Sequence, residues 1–407
     1  MSFYNQSVKT HVVNPVYHSN ARTELRLSDL FYFSNMRLTK VGAVVTGEPS
    51  IEYTTQAGAL GMVKNAQLYS AGTLIESVTD VHLLSAFNTM KKSNGACGSL
   101  TKFLTRTAQG SSVEEEEGGL IFDTGYPDTS VTNVATTTSE AWFDLREIFG
   151  VLRSASFINC EKLHNLRIVI EWRSDFQNLF VGDMSGLTAC NIVQPELIVD
   201  EVTSQKTIDA IKLFTAANKQ VPFFSMESDA AVISACANNA TVAQQFIFNA
   251  FQGKFVERLL LLPYEATSGY AQVATNVTKI DKADVFKFEV WQVQLNNVNM
   301  LDYYGADTSA RKLALLVDSH GDLCMPYGSN EYAILRSANM FVAGSIALRL
   351  IGKCGYFGIT LSDRVSKLQV TYQRTGFVDH PAAVMRAYGE VYKAIQYTDD
   401  GFNVVYL

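Results

Sequence analysis

Histidine and aspartate side chains are the first candidates for chemistry in this chain. The six histidines stand at positions 11, 18, 82, 164, 320 and 380, without the short spacing that is typical of metal ligands. His320 lies between Asp318 and Asp322 in a predicted turn, and an Asp–His pair is able to transfer protons in catalysis. Turns are rich in these residues because their side chains hydrogen-bond to the nearby backbone. We therefore predict no catalytic residue at this turn, and we expect His164 to be a packed or solvent-facing residue.

Short motifs of nucleotide, metal and hydrolase sites are missing from the sequence. It contains no GxxxxGK[ST] or GxGxxG loop for phosphates, no HExxH for zinc and no GxSxG for a nucleophilic serine. The acidic run Glu114–Glu117 is compatible with a cation site, a partner-binding loop or a solvated loop. Adjacent carboxylates repel each other and prefer water, which favours the solvated loop. We predict that the protein is not an enzyme and has no catalytic, cofactor-binding or metal site and no cofactor.

Cysteine and tryptophan residues indicate packing more than reactivity. No two cysteines form a CxxC pair, and Cys160, Cys190 and Cys236 lie in apolar sequence surroundings. We expect free thiols in a reducing compartment. The three tryptophans are Trp142, Trp172 and Trp291. They are able to stack on sugars, but each lies in an apolar periodic segment, which favours a place in the core.

Composition limits the classes of function that this chain can have. Its 407 residues include 33 basic and 40 acidic ones, for a net charge of -7, and only 18% are charged. These values exclude a disordered acidic protein and a basic protein that coats nucleic acid. Lys91, Lys92 and Arg106 come nearest to a basic patch, so we expect no direct sequence-specific nucleic-acid binding. No segment has the apolar run of a signal peptide or of a membrane-spanning helix.

Alternation of apolar and polar residues predicts mostly strands. Leu166–Trp172 reads L-R-I-V-I-E-W, a compact strand signal. Asp399, Asp400 and Gly401 predict a hairpin turn. Further strands are predicted at Arg22–Leu30, Phe31–Val45, Glu196–Val202, Phe255–Leu262, Val285–Leu295, Leu313–Val317 and Lys367–Tyr372.

Helices are few, and they suggest how the chain is divided. Ser139 would cap a first helix that ends near Gly150, a second would cover 203–214, and Ser228 would start a third. Many short strands with turns between them are typical of β-sandwiches. We therefore predict an all-β protein of two β-sandwiches joined by a helical connector. The predicted parts are an N-terminal arm at 1–19, a first sandwich at 20–202, the connector at 203–250 and a second sandwich at 251–407.

The segment 139–180 has the most specific pattern in the chain. It resembles a segment of the double jelly-roll major capsid proteins of small DNA viruses of the polinton-like, adinto-like and virophage-like lineage. In that family a short helix of the type Leu-x-x-Ile-Phe-Gly precedes a strand of the type Lys-x-x-His-x-Leu-x-Ile, followed by Arg and then Asp. The matching residues here are Leu145, Ile148, Phe149, Gly150, Lys162, His164, Leu166, Ile168, Arg173 and Asp175. Lys162 departs from the pattern, since it stands one residue nearer the histidine.

This resemblance implies a fold of two consecutive eight-stranded jelly rolls with a few short helices. It also implies a homotrimer that forms a pseudo-hexagonal capsomer, and capsomers that tile an icosahedral virion shell, assembled inside the host cell. The implied partners are neighbouring trimers, penton proteins and minor capsid proteins, with an internal membrane left open. The arm at 1–19 would lock neighbours or face such a membrane, and Phe402–Leu407 would be a final strand of the second jelly roll.

Two other interpretations remain open at this point. A β-sandwich that binds or cleaves carbohydrate would use the tryptophans for stacking, and a cleaving enzyme would add a spaced carboxylate pair. A single jelly-roll capsid protein with a projecting domain would carry a basic N-terminal arm for the genome. Only Lys9 and Arg22 are basic in the first 25 residues, which argues against that third interpretation.

Overall fold

The chain divides into two compact units. One comprises Met1–His82, Gly98–Ser225 and Lys393–Tyr406, and the other Leu83–Cys97, Met226–Tyr392 and Leu407. The structure is a computed structural model. It describes residues 8–27, 32–47, 50–53, 58–81, 83–84, 136–174, 180–183, 187–265, 288–301, 305, 307, 311, 315, 319, 346–349, 364–375, 379 and 382–407.

Strands dominate the described part of the first unit, and they form three sheets. One sheet has the order β1-β13-β4-β12, with β8 and β9 also paired to β4; the others have the orders β2-β3-β10-β6-β7 and β11-β5. These neighbouring strands are all antiparallel. The strands are β1 (Val8–Val13), β2 (Tyr17–His18), β3 (Arg22–Leu27), β4 (Tyr32–Gly47), β5 (Ser50–Tyr53), β6 (Val63–Ser70), β7 (Thr73–Thr79), β8 (Thr136–Asp144), β9 (Ile158–Asn159), β10 (Leu166–Trp172), β11 (Phe180–Asp183), β12 (Leu187–Ile192) and β13 (Glu196–Val202).

The central strand β10 shows why these sequences become strands. Leu166, Ile168 and Ile170 are at most 1% exposed on one face, while Arg167 and Glu171 on the other face are half-buried and Val169 between them is buried. The alternation places Leu166, Ile168 and Ile170 on the face that packs in the core. The predicted ends of β10 and β13 are confirmed, β4 lies within one or two residues of its predicted ends, and β3 begins as predicted but ends three residues earlier.

The described part of the first unit also contains the helices α1 (Gly150–Ser154) and α2 (Gln205–Phe214). The predicted helix over 203–214 is therefore confirmed. Its Ile211 is 3% exposed and packs with Tyr32 of β4 and Val202 of β13, while Ile208 adds a partly buried contact. Helix α2 is thus an amphipathic helix held by its apolar face.

Strands of the rest of the chain form two more sheets. Their orders are β14-β21-β16-β19, with β22 paired to β21, and β15-β20-β17-β18. The division between the units falls within β14, after Ser225, and within β21, after Tyr392. The strands are β14 (Gln220–Ile233), β15 (Thr241–Phe248), β16 (Val256–Glu265), β17 (Phe288–Leu295), β18 (Val298–Asn299), β19 (Ile346–Arg349), β20 (Leu368–Thr375), β21 (Ala383–Tyr397) and β22 (Phe402–Tyr406).

The core of the second unit is centred on an aromatic pair. Trp291 of β17 lies opposite Tyr372 of β20 in register, and their ring centroids are 4.4 Å apart. Both side chains are at most 1% exposed, and Phe248 and Phe251 are buried in the same cluster. Aromatic side chains bury more apolar area than any other residue, so this cluster is a main source of stability for the unit.

Three predicted elements differ from the structure, and in two of them strand pairing outweighed the local signal. The predicted helix after Ser139 is strand β8, which pairs with β4, and a 3-10 turn and α1 follow it. The predicted helix from Ser228 is the second half of β14, which pairs with β21. Alanines there favour a helix locally, but strand pairing satisfies the same backbone groups. Leu315, the described residue of the predicted strand Leu313–Val317, is helical.

Candidate assembly surface and the residues that support it

In the segment 139–180, the apolar residues that match the capsid-protein pattern are buried and do not form an exposed site. Leu145, Ile148 and Phe149 are at most 3% exposed. They lie in the 3-10 turn and the short link that connect β8 with α1. Their apolar character is therefore required by packing. Asp175, the last residue of the pattern, lies outside the described residues.

Gly150 occupies the most crowded backbone position of this segment. Its N–H donates to Glu76 Oε1 at 2.9 Å, and the N–H of Val151 donates to Glu76 Oε2 at 3.1 Å. A Cβ atom at Gly150 would lie 1.5 Å from the carbonyl oxygen of Phe224. No other residue type fits this position, so the glycine lets the start of α1 approach β14 and β7 closely.

Glu76 is a carboxyl group buried beneath this turn. Glu76 is 1% exposed, and burial raises the pKa of its carboxyl group above the ordinary value. Hydrogen bonds from the N–H groups of Val151 and Gly150 and the charges of Lys393 and Arg153 act in the opposite direction, but burial outweighs them. A buried carboxyl group with two backbone donors links β7 to α1, which lies 74 residues further along the chain.

Folding stability should therefore depend on pH through Glu76. Because its folded pKa lies above the unfolded value, this contribution is present below the unfolded pKa, about 4.3, and is lost as pH rises through the folded pKa. We expect the free energy of unfolding of the first unit to fall as pH rises through that window. The free energy of unfolding should change less with pH in Glu76→Gln, because the glutamine side chain does not titrate. Urea unfolding of both chains between pH 4.5 and 8 measures it, and equal slopes would contradict the assignment.

Lys162 and His164 of the same segment hold the last hairpin of the chain. Lys162 Nζ donates to the carbonyl oxygens of Thr398, at 3.1 Å, and of Asp399. His164 Nε2 lies 3.3 Å from the carbonyl oxygen of Asp400. These contacts fix the turn between β21 and β22, where the predicted hairpin is confirmed. His164 is exposed, which agrees with the solvent-facing one of the two environments that the sequence left open.

Removing the Lys162 ammonium should loosen this turn without unfolding the protein. Lys162→Met retains the aliphatic stem but leaves both carbonyl oxygens to water, so we expect a loss of about 1 kcal/mol. Amides of residues 397–403 should exchange with deuterium faster, while those of β20 stay unchanged. Lys206→Met, at an exposed position of α2, is the control and should change neither the stability nor the exchange of these amides.

A second charged group lies on the outer face of the sheet that contains β3 and β10. Glu24 accepts hydrogen bonds from Arg22, Arg26 and Arg167 over 2.9–3.3 Å. Burial alone would raise the pKa of Glu24, but Arg26 and Arg167 outweigh it and lower the pKa. Arg167 also lies over the Tyr69 ring, 4.6 Å from its centroid. The central carboxylate is saturated by these donors, so this cluster stabilises the sheet locally.

Several residues that the sequence suggested for chemistry are now located. Trp172 is 3% exposed and Trp291 0%, so neither offers a ring face to a sugar, and the prediction that they pack in the core is confirmed. The side chain of Trp142 lies outside the described residues, as do His320, its two aspartates and Glu114–Glu117. Within the described ranges, no three His, Cys, Asp or Glu side chains are grouped as metal ligands.

Three of the cysteines are free thiols in the structure, as predicted: Cys160, Cys190 and Cys236. Burial raises the pKa of Cys160 and of Cys190 to about 12. Both thiols are therefore protonated and unreactive near neutral pH. The remaining cysteines lie outside the described residues. None of the helices in the described part of the chain is long and apolar enough to cross a membrane.

The exposed apolar side chains are concentrated near the start of the described chain. Val8 is 40% exposed, Val12 57%, Val16 57% and Tyr17 53%. They lie on β1, on β2 and between them. The other large apolar side chains that are exposed within the described ranges are Leu74, Phe157, Leu213, Phe214, Val232, Ile247, Val298 and Tyr406. No sequence signal separated these valines from buried ones, because β1 has the same alternation as a core strand.

The position of these valines suggests a surface for contact with another chain. Strand β1 pairs with β13 on one side, and among the described strands none pairs with its other side. Unpaired backbone groups beside exposed apolar side chains are a template for association. This surface, with the buried support of Glu76 and Gly150 elsewhere in the same unit, is the candidate functional feature of the fold.

Comparison with known proteins finds likeness at the level of structure. No protein-family model and no curated protein matches the sequence. PBCV-1 VP54, as fitted into a reconstruction of the virophage Sputnik, aligns over 100% of this chain and 99% of its own, with a TM-score of 0.63 and 9% identity. The chain in the Sputnik virophage structure aligns over 98% and 88%, with a TM-score of 0.64 and 12% identity.

The mavirus major capsid protein gives a third match of the same extent. It aligns over 100% of this chain and 91% of its own, with a TM-score of 0.61 and 7% identity. All three neighbours are double jelly-roll major capsid proteins. Identities this low show a shared fold, and the alignments span nearly the whole of each chain. This chain therefore has the double jelly-roll fold of virus major capsid proteins.

Proposed function

We propose that the protein is a major capsid protein that forms trimeric, pseudo-hexagonal capsomers, and that these tile an icosahedral virion shell. One observation carries the proposal: capsid proteins of two virophages share the fold over almost the full length of both chains. Because a fold by itself does not define a function, the composition also matters. A charge-poor chain with exposed apolar strand residues suits contacts that bury large areas without desolvating many ions.

The domain organisation belongs to the same proposal. Residues 20–202 would form the first jelly roll and 251–407 the second, with the arm at 1–19. The connector at 203–250 would contain α2, β14 and β15, and α2 is its helical part. In the arm, residues 8–13 and 17–18 are strands β1 and β2, which supports an arm that is attached to the first unit.

Assembly, and not catalysis, would be the mechanism. Each subunit would bury an obligate trimer interface on the order of 2,000 Å², and weaker contacts between trimers would set the lattice. Neighbouring trimers, penton proteins and minor capsid proteins would be the partners, with an internal membrane as a further one. The protein would be assembled inside the host cell and would reside in the virion.

Light scattering on the purified full chain tests the proposal. A stable species of three times 44.9 kDa, with pseudo-hexagonal particles in negative-stain images, is the expected result. A monomer that persists as concentration rises through the micromolar range would overturn it, because so large an interface does not dissociate there.

A further inference from the structure

The residues on the outer face of strand β1 form a symmetric pattern, the same from either end of the strand. Val8, Thr10 and Val12 all point to that face and are all exposed. Thr10 is the centre of this Val-Thr-Val pattern, and its hydroxyl donates to Asp200 Oδ1 at 3.0 Å. Two antiparallel copies of such a strand, centred on Thr10, would place valine opposite valine and threonine opposite threonine. Such cross-strand pairs stabilise antiparallel sheets.

The backbone of β1 is available for this pairing. The strand is an edge strand in the described part of the fold, since its register is entirely with β13. In an antiparallel ladder, every second residue of an edge strand directs its N–H and C=O groups away from its neighbour. A second copy of the same strand satisfies those groups through a two-fold axis, which makes the interface identical on both sides.

On the opposite face of β1, the same antiparallel pairing brings side chains of opposite charge together. Centring on Thr10 places Lys9 of each copy opposite His11 of the other. The Nε2 atom of His11 lies 2.6 Å from the carboxylate of Glu201. Each ammonium group therefore meets a histidine–carboxylate pair, and the two Lys9 charges are balanced by two Glu201 charges. A parallel arrangement would instead put the two Lys9 side chains side by side.

We propose that β1 pairs antiparallel with β1 of a second copy of this chain, across a two-fold axis at Thr10, as a contact between neighbouring capsomers; this rests on the proposed capsid function. Six residues span about 20 Å, and so short a ladder buries much less than the roughly 1,000 Å² of a stable specific interface. One pairing is therefore weak, and many act together in a lattice. The size of the surface thus fits a contact between trimers and not the contact within a trimer.

Cysteine cross-linking tests the register. Directly opposed residues in an antiparallel pair have Cα atoms about 4.5–5.5 Å apart, which a disulfide can span. Thr10→Cys should therefore form intermolecular disulfides in concentrated or assembled protein under mild oxidation. Lys9→Cys is the matched control, since its two copies would be roughly 8 Å apart. We expect at least about tenfold more position-10 homodimer, identified by mass spectrometry of the linked peptides, which also excludes links to native cysteines.

The outcomes separate this inference from the proposed function. Trimers of the expected mass with equal disulfide yields at positions 9 and 10, or with position 10 linked to another cysteine or another protein, would overturn the pairing and leave the capsid function intact. Absence of trimers would overturn both. As a second measurement, Val12→Asp should keep the trimer mass but raise the concentration needed for trimer–trimer association at least tenfold. Val232→Asp, at an exposed residue of β14 and outside this surface, should not.

Discussion

Gly150→Ala is expected to destabilise the first unit by about 4 kcal/mol or more, or to prevent its folding. The added Cβ would lie 1.5 Å from the carbonyl oxygen of Phe224 and 2.7 Å from its carbonyl carbon. These are backbone atoms, so no change of rotamer relieves the contact, and either α1 or β14 must move. Movement of α1 would also break the two hydrogen bonds to Glu76.

Urea unfolding and hydrogen exchange measure this effect. Amides of 145–155 should lose protection in Gly150→Ala, while those of β20 in the second unit keep theirs. Gly401→Ala is the matched control: the nearest heavy atom to its Cβ would be Thr398 Oγ1 at 4.0 Å, so its stability should stay within about 0.5 kcal/mol of the wild type. Equal stability of the two variants would show that the close approach at Gly150 is not required.

Glu76→Ala should be the next most damaging substitution, with a loss of about 2–4 kcal/mol. It leaves the N–H groups of Gly150 and Val151 without their acceptor in a buried place, and it opens a cavity between β7 and α1. It also removes the carboxyl group that faces Lys393, which is itself 6% exposed. Glu76→Gln keeps one carbonyl acceptor and should lose less.

Thermal and urea unfolding at neutral pH distinguish this role from that of an ordinary surface carboxylate. Glu161→Ala is the control, since Glu161 is 45% exposed and pairs with Lys212 at 3.7 Å. Exposed ion pairs of this kind contribute about 0–1 kcal/mol, so the control should be nearly neutral. If Glu76→Ala were as stable as the control, the buried carboxyl group would not hold α1 in place.

Some elements of the fold were predictable because their signal is local. In β10 and β13 the inward apolar residues repeat with a period of two, and turn residues bound both strands. In α2, Ile208 and Ile211 repeat at helical spacing after Ser204. The buried tryptophans and free cysteines followed from the apolar composition around them. The pattern from Leu145 to Arg173 suggested the double jelly roll correctly, although no family model matches the sequence.

Other features depend on residues far apart in the chain. In the sequence, the burial of Glu76 is indicated only by the apolar Ile75 and Val78 near it. Its partner α1 begins 74 residues later. Strand β14 looks helical locally around Ala230 and Ala231, but β21 pairs with it and determines its conformation. Long-range pairing of this kind leaves no periodic trace in a single sequence.

The sequence by itself determined the all-β class, the positions of the strongly alternating strands and the likeness to capsid proteins, because periodicity and composition act over a few residues. Only the tertiary structure decided that the Ser139 and Ser228 segments are strands, that Gly150 and Glu76 meet, and that Val8 and Val12 of β1 face outward. The physical reason is that burial and hydrogen bonding are properties of pairs of segments. The same valine is core or surface according to which strand lies beside it.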